Sequence, residues 1–286
     1  MGAPPSVIPG HAEGVSPEPM KRTGSMELAR GFRVLRFAKP RNDSVWIGAA
    51  LIAAFLAAPA QAIVGGQESA APLAREAVMV LSSKGGMCSA VIVAADVVLT
   101  AGHCAAGAGQ HRVHWRGEDG APELVEPAAK AIHPGYDSKA VEARRRSIDL
   151  ALIRLPQNLP DHFAVAKLSA ANPSPPARIT FGGYGVAKEG DARSSGTFRT
   201  AELPVAEPYG RSTILIWAEG GGRTGACMGD SGGPVAQGGT VFAITTWVGD
   251  KKSGACGRYS QGVLLGPQRE WIDRTLAAWG RKARWE

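Results

Sequence analysis

The sequence predicts an all-β protein of the sandwich or barrel kind, closed by one α-helix. Three observations carry this. From residue 63 onward, short apolar or β-branched runs alternate with Gly, Pro, Asn and Asp, the pattern of many short strands joined by turns. The composition agrees, because 37 glycines, 44% hydrophobic and 20% charged residues in a chain of 286 describe a turn-rich globular protein, not a coiled coil or a disordered segment. Helical spacing of apolar residues stands out only at the end of the chain, over residues 267–280. The length supports a full-sized core, as one large domain or two small ones sharing an interface.

In chain order, residues 1–25 are rich in Pro, Gly and Ser and read as unstructured. Five basic residues between Arg30 and Arg41 then precede an uncharged run, VWIGAALIAAFLAAPAQA (45–62), that ends in Ala60-Gln61-Ala62. A positive stretch, an apolar stretch and an A-x-A site in that order form a secretory signal peptide. The protein is therefore expected outside the cell or in the periplasm, after cleavage near Ala62. At 18 residues the run approaches bilayer-spanning length, so membrane attachment follows only if it is retained. Translation from Met20 or Met26 would give a leader of more usual length.

Residues 63–286 form the mature domain. Strands are predicted at AVMVLSS, SAVIVAADVVLTA, HRVHW and DLALIRL, then at RITFGGYG, STILIWA and GGTVFAITTWV. Between the two groups, LSAANPSPPAR (168–178) reads as a linker that divides the mature chain into comparable halves, about 63–168 and 178–265. In the final segment Trp271, Thr275 with Leu276, and Trp279 recur at i, i+4 and i+8 beside Ile272, the mark of a helix docked on the core.

The net charge of +7 divides into +3 in residues 1–62 and +4 in the rest. No basic stripe interleaved with aromatics occurs, so no nucleic-acid partner is expected. All four cysteines, Cys88, Cys104, Cys227 and Cys256, follow the cleavage site, and an even count in an exported chain points to disulfides. Three connectivities are possible. Pairing by sequence neighbourhood gives Cys88 with Cys104 and Cys227 with Cys256, each contributing ~3 kcal/mol in the chain-entropy view. No C-x-x-C spacing suggests a metal. His111 and His114 lack a third ligand and read as surface strand residues.

Ser231 sits among glycines in GACMGDSGGPV (225–235), where the chain can approach a ligand closely. A nucleophilic serine needs a base, a group to orient the base and donors for the oxyanion. The backbone N–H groups of Gly229 and Ser231 are candidate donors. GDSGG also fits the G-x-S-x-G elbow of α/β-hydrolases, but that fold places its histidine after the serine, and the last histidine here is His162. A subtilisin order would need an aspartate well before the histidine, and only Asp96 precedes His103 in the mature chain. The order His, Asp, Ser remains. His103 follows an apolar strand in VVLTAGHC, beside Cys104. Asp149, in SIDLALIRL, is the aspartate best placed for burial and so needs a hydrogen-bonding partner, which the His103 imidazole N–H would be.

These residues resemble the chymotrypsin-like (trypsin-like) serine peptidase family across most of residues 63–280. The resemblance rests on IVGG (63–66), TAGHC (100–104), DLALIRL (149–155), CMGDSGGPV (227–235) and TTWVG (245–249). It implies two packed six-stranded antiparallel β-barrels with the active site between them. It also implies His103 as general base, Asp149 as its orienting partner, Ser231 as nucleophile, and Gly229 and Ser231 as oxyanion donors. A hydrogen bond from Thr246 toward Asp149 and substrate pairing along Trp247 and Val248 are carried over as well.

In the family the freed amino group of the first residue, here Ile63, pairs with the aspartate before the nucleophile, here Asp230. Trypsin-type activation uses Lys or Arg before that residue, whereas this chain has Ala62, so signal peptidase itself is expected to release Ile63. The pocket base falls at Gly225 with Ala226, and Val248 and Gly262 form its walls. A base without a carboxylate disfavours Arg and Lys, and valine narrows the slot toward small or medium apolar side chains. The expected protein is a monomeric secreted endopeptidase acting on proteins or peptides, with no cofactor, no metal and no calcium-loop spacing. A non-catalytic binding module on the same fold and a secreted esterase are the alternatives.

Overall fold

A computed structural model describes residues 63–69, 72–143, 145–249 and 256–286. Residues 1–62, the expected N-terminal extension and signal peptide, and Asp250, Lys251 and Lys252, which precede Cys256, lie outside the described residues. Strands β1 (Ala77–Ser82), β2 (Met87–Ala94), β3 (Val97–Thr100), β4 (His111–Arg116), β5 (Pro122–Val125), β6 (Ala129–Ile132) and β7 (Ala151–Arg154) form one antiparallel sheet. Their order is β5-β4-β1-β2-β3-β7-β6. The two edge strands, β5 and β6, are consecutive in the chain and separated only by Glu126, Pro127 and Ala128, so the sheet curls until its edges meet in one bent segment. Pro127, which has no N–H to give a ladder, sits at that bend. Counting the bent segment once gives six strands around this barrel.

The second sheet contains β8 (Arg178–Gly183), β9 (Arg199–Ala206), β10 (Leu215–Glu219), β11 (Pro234–Gln237), β12 (Thr240–Gly249) and β13 (Tyr259–Leu264). They run β11-β8-β9-β10-β13-β12, and β12 pairs back onto β11, closing a six-membered antiparallel ring. Closure removes exposed strand edges. The protein is thus built from two six-stranded antiparallel β-barrels.

The long apolar runs of the first barrel are explained by burial on both faces. Along β2, Ala90 and Ile92 join the barrel interior with Val78, Val98, Val113 and Ile153. Val91 and Val93 point the other way, into a cluster shared with Val241, Ile244 and Val263 of the second barrel. Each fully buried Val, Leu or Ile contributes roughly 1.5–3 kcal/mol.

The terminal helix α1 (Arg269–Ala278) buries Trp271, Ile272 and Leu276 in that shared cluster. It ends in a Schellman turn, with Arg281 N–H donating to Leu276 O (2.8 Å), Gly280 N–H donating to Ala277 O (2.9 Å) and Gly280 at φ +69°.

The ends of the described segment are exchanged between barrels. At its start, Gln67–Glu68 pairs with β9 of the second barrel. Near the end, Arg281 reaches Asp96 of the first barrel through two bonds of 2.7 and 2.9 Å.

Candidate active site

Adjacent strands bring the predicted histidine and aspartate together. Strand β3 pairs with β7 so that Thr100 faces Ala151, and His103 leaves the end of β3 just where Asp149 enters β7. Asp149 Oδ1 accepts the backbone N–H of His103 at 2.8 Å, and Oδ2 lies 2.7 Å from the ring Nδ1. An ionised carboxylate can only accept, so it favours the proton on Nδ1 and leaves Nε2 free to accept one. The histidine side chain is 40% exposed and the aspartate 18%, so the ring is open to a ligand while its anchor is sheltered.

Ser231 belongs to the loop between Cys227 and β11. That loop is clipped to the first barrel by Ser89 of β2, whose N–H donates to Ser231 O (2.7 Å) and whose Oγ donates to Gly229 O (2.9 Å) and accepts Tyr184 N–H (2.9 Å). The Cys104 sulfur lies 3.8 Å from Ser231 O, and Cys104 follows His103 directly. Serine and histidine thus sit on adjoining stretches of backbone from different barrels. Cys104 is bonded to Cys88, and Cys227 to Cys256, the neighbourhood pairing expected from the sequence. Cys88, His103 and Cys104 cluster closely enough to suggest a metal, but both sulfurs are spent in the disulfide and are not thiolate ligands.

Gly229 adopts φ +98°, and a Cβ there would come within 2.8 Å of Gly185 Cα, so both the turn and the packing require glycine. Among the described residues the N–H groups of Gly229 and Ser231 donate to no protein acceptor. Asp230 is fully buried; its oxygens accept Gly185 N–H and Cys227 N–H, each at 2.8 Å. Burial pushes its carboxyl up to about 7, opposed by those two bonds and by the charge of Arg199. Ile63 is also fully buried, in the core of the second barrel, and Val64 next to it bridges to Gly225.

The predicted pocket residues divide. Gly225 and the buried Ala226 lie beside Ser260: the Ala226 N–H donates to Ser260 Oγ at 3.0 Å, and a Cβ on Gly225 would meet that oxygen at 3.0 Å. Val248 stands opposite Ser260 across β12 and β13. Gly262, expected as a wall, instead points into the barrel core, where a Cβ would meet Val235 and Ala243. The physical reason is register: a bulge between Thr245 and Trp247 places Ser260 opposite Val248 and Gly262 opposite Thr245. The same bulge turns the Thr246 hydroxyl to Gln261 Oε1 (3.3 Å) and not to Asp149. His111 is buried, not a surface strand residue, because it faces Lys130 (3.3 Å) under the barrel wall. Sequence reasoning missed Ser89 and Ser260. Their signal was a lone hydroxyl within or beside an apolar strand, which in a buried position must find a partner.

From His103 and Asp149 a cleft of about 770 Å³ extends along Trp247 and Trp217.

The fold and this arrangement define a class, the double-barrelled endopeptidases that work through a serine. Residues 63–264 match the family model described as Trypsin, and the chain belongs to that family. It is a serine-type endopeptidase, a hydrolase acting on proteins or peptides. Among its relatives, human kallikrein-8 is 28% identical over 211 residues, covering 68% of this chain and 78% of the relative. Trypsin-3 of Salmo salar is 25% identical over 210 residues, covering 67% and 83%. The solved structure of neuropsin, a serine protease expressed in the limbic system of mouse brain, matches with a TM-score of 0.61 and 23% identity, covering 73% of this chain and 98% of that one. That likeness concerns the fold.

Proposed function

We propose that the protein is a secreted endopeptidase in which Ser231 attacks the peptide carbonyl and forms an acyl-enzyme. His103 Nε2 takes the Ser231 proton and then delivers it to the departing amine, while Asp149 holds the ring and stabilises its imidazolium form. The N–H groups of Gly229 and Ser231 receive the developing oxyanion. Water, deprotonated by the same imidazole, then releases the acid product and restores Ser231. The observation that carries this reading is the double grip of Asp149 on His103, by backbone N–H and by Nδ1.

Signal peptidase cleavage after Ala62 would free the Ile63 amine, whose ammonium would enter beside Asp230. The burial of both residues supports this. Two disulfides fit an oxidising compartment. Gly225, Ala226, Val248 and Ser260 neighbour one another and include no carboxylate, which supports cleavage after small or medium apolar residues.

The test is digestion of a peptide library, read by mass spectrometry, with the secreted protein and its Ser231→Ala variant. Cleavage after Ala, Val or similar residues is expected, falling by about 10⁴-fold or more in the variant. Undiminished cleavage by the variant would defeat the mechanism, and cleavage after Arg or Lys would defeat the pocket assignment.

A further inference from the structure

The cleft that begins at His103 is unevenly charged. Arg145 and Arg146 line it from the first barrel and Arg211 from the second. Two carboxylates line it too, Asp137 and Asp149, and both are engaged. Asp137 binds Arg145 through bonds of 3.0 and 2.6 Å, and Asp149 holds His103. Arg211 donates to the Asn172 carbonyl at 3.0 Å, a neutral acceptor. Among the described residues, Arg146 and Arg211 have no carboxylate partner. Between them the cleft wall is aromatic: Trp217 stacks edge-to-face on Tyr209 at 5.4 Å and on Trp247 at 5.7 Å. Arg146 and Arg211 are exposed, so their attraction for a bound carboxylate acts through solvent and is sensitive to salt.

We infer that this cleft selects polypeptides carrying Asp or Glu a few residues N-terminal to the cleaved bond. The inference rests on the peptidase reading above, in which substrate runs along Trp247 and Val248. Guanidinium forks match the two oxygens of a carboxylate, and Arg146 and Arg211 both line the cleft, one from each barrel. Substrates would thus combine a small apolar residue at the cleavage point with an acidic stretch before it. A lysine in the same stretch would meet like charge.

The experiment uses internally quenched peptides that share an alanine before the scissile bond and carry Glu, Gln or Lys at the second to fourth residues upstream. With protein beginning at Ile63, kcat/KM should favour Glu over Lys by about tenfold at low salt, and by less than about threefold once salt shortens the screening length. In the Arg146→Glu/Arg211→Glu double variant the order should invert. In parallel, labelled Glu and Lys peptides are titrated into the Ser231→Ala protein and followed by fluorescence anisotropy, with the same preference expected.

Ser231-dependent cleavage with Glu, Gln and Lys equal within about twofold, or an order unchanged by charge reversal, would overturn the inference and leave the peptidase intact. Loss of cleavage of every peptide would defeat the peptidase reading, and anisotropy would still decide the cleft. Tighter binding of the Glu peptide supports an acid-selective cleft, and equal binding overturns it.

Discussion

Asp230 is a carboxylate with too few partners. Two backbone bonds and the field of Arg199 do not offset complete burial, which raises its pKa to about 7. A raised acid pKa means that the folded chain holds a proton between about pH 4 and pH 7 that the unfolded chain has released. The contribution of Asp230 to stability is therefore greatest below about pH 4 and falls as pH rises to about 7, by on the order of 4 kcal/mol at most. Protein still extended before Ile63 should show this decline in urea midpoint against pH. Protein beginning at Ile63 should not, because the proposed ammonium would stabilise the charged form. Superimposable profiles for the two would exclude the pairing. Most of this local chemistry was legible in the sequence, since His103, Asp149 and the Ser231 loop are set by short contiguous motifs. Ser89 was not, because its importance comes from meeting residues about 140 positions away across the barrels.

The strands were legible as elements because apolar runs and turn residues are local signals. Their register was less so. A single bulge between Thr245 and Trp247 moves Thr246 to Gln261 and places Ser260 where Gly262 was expected, and nothing in TTWVG announces an extra residue. The C-terminal tail illustrates an element held from a distance. Asp96 is 5% exposed, and its charge is met by Arg281. Replacing Arg281 with Ala would leave that carboxylate without its charged partner and should lower the urea midpoint. Adding Asp96→Asn should recover part of the loss in the same denaturation assay. A double variant no more stable than Arg281→Ala would mean that the tail acts by packing alone.

At the scale of the whole molecule, neither barrel is complete in function or in burial. The histidine and aspartate belong to the first barrel and the serine to the second, and the apolar cluster between them draws on both. The exchanged chain ends strengthen this dependence: Ile63 and Gln67–Glu68 belong to the second barrel, whereas Arg281 returns to the first. Residues 169–177 are a partly exposed connection outside the barrel strands, and neither disulfide crosses it. A single break there would separate the covalent halves without loosening either arm. The nicked protein should run as two bands on a denaturing gel, yet elute as one body from a sizing column and keep its activity. Expressed as two separate polypeptides, the halves would clasp each other like folded arms, each fragment serving as the other's template.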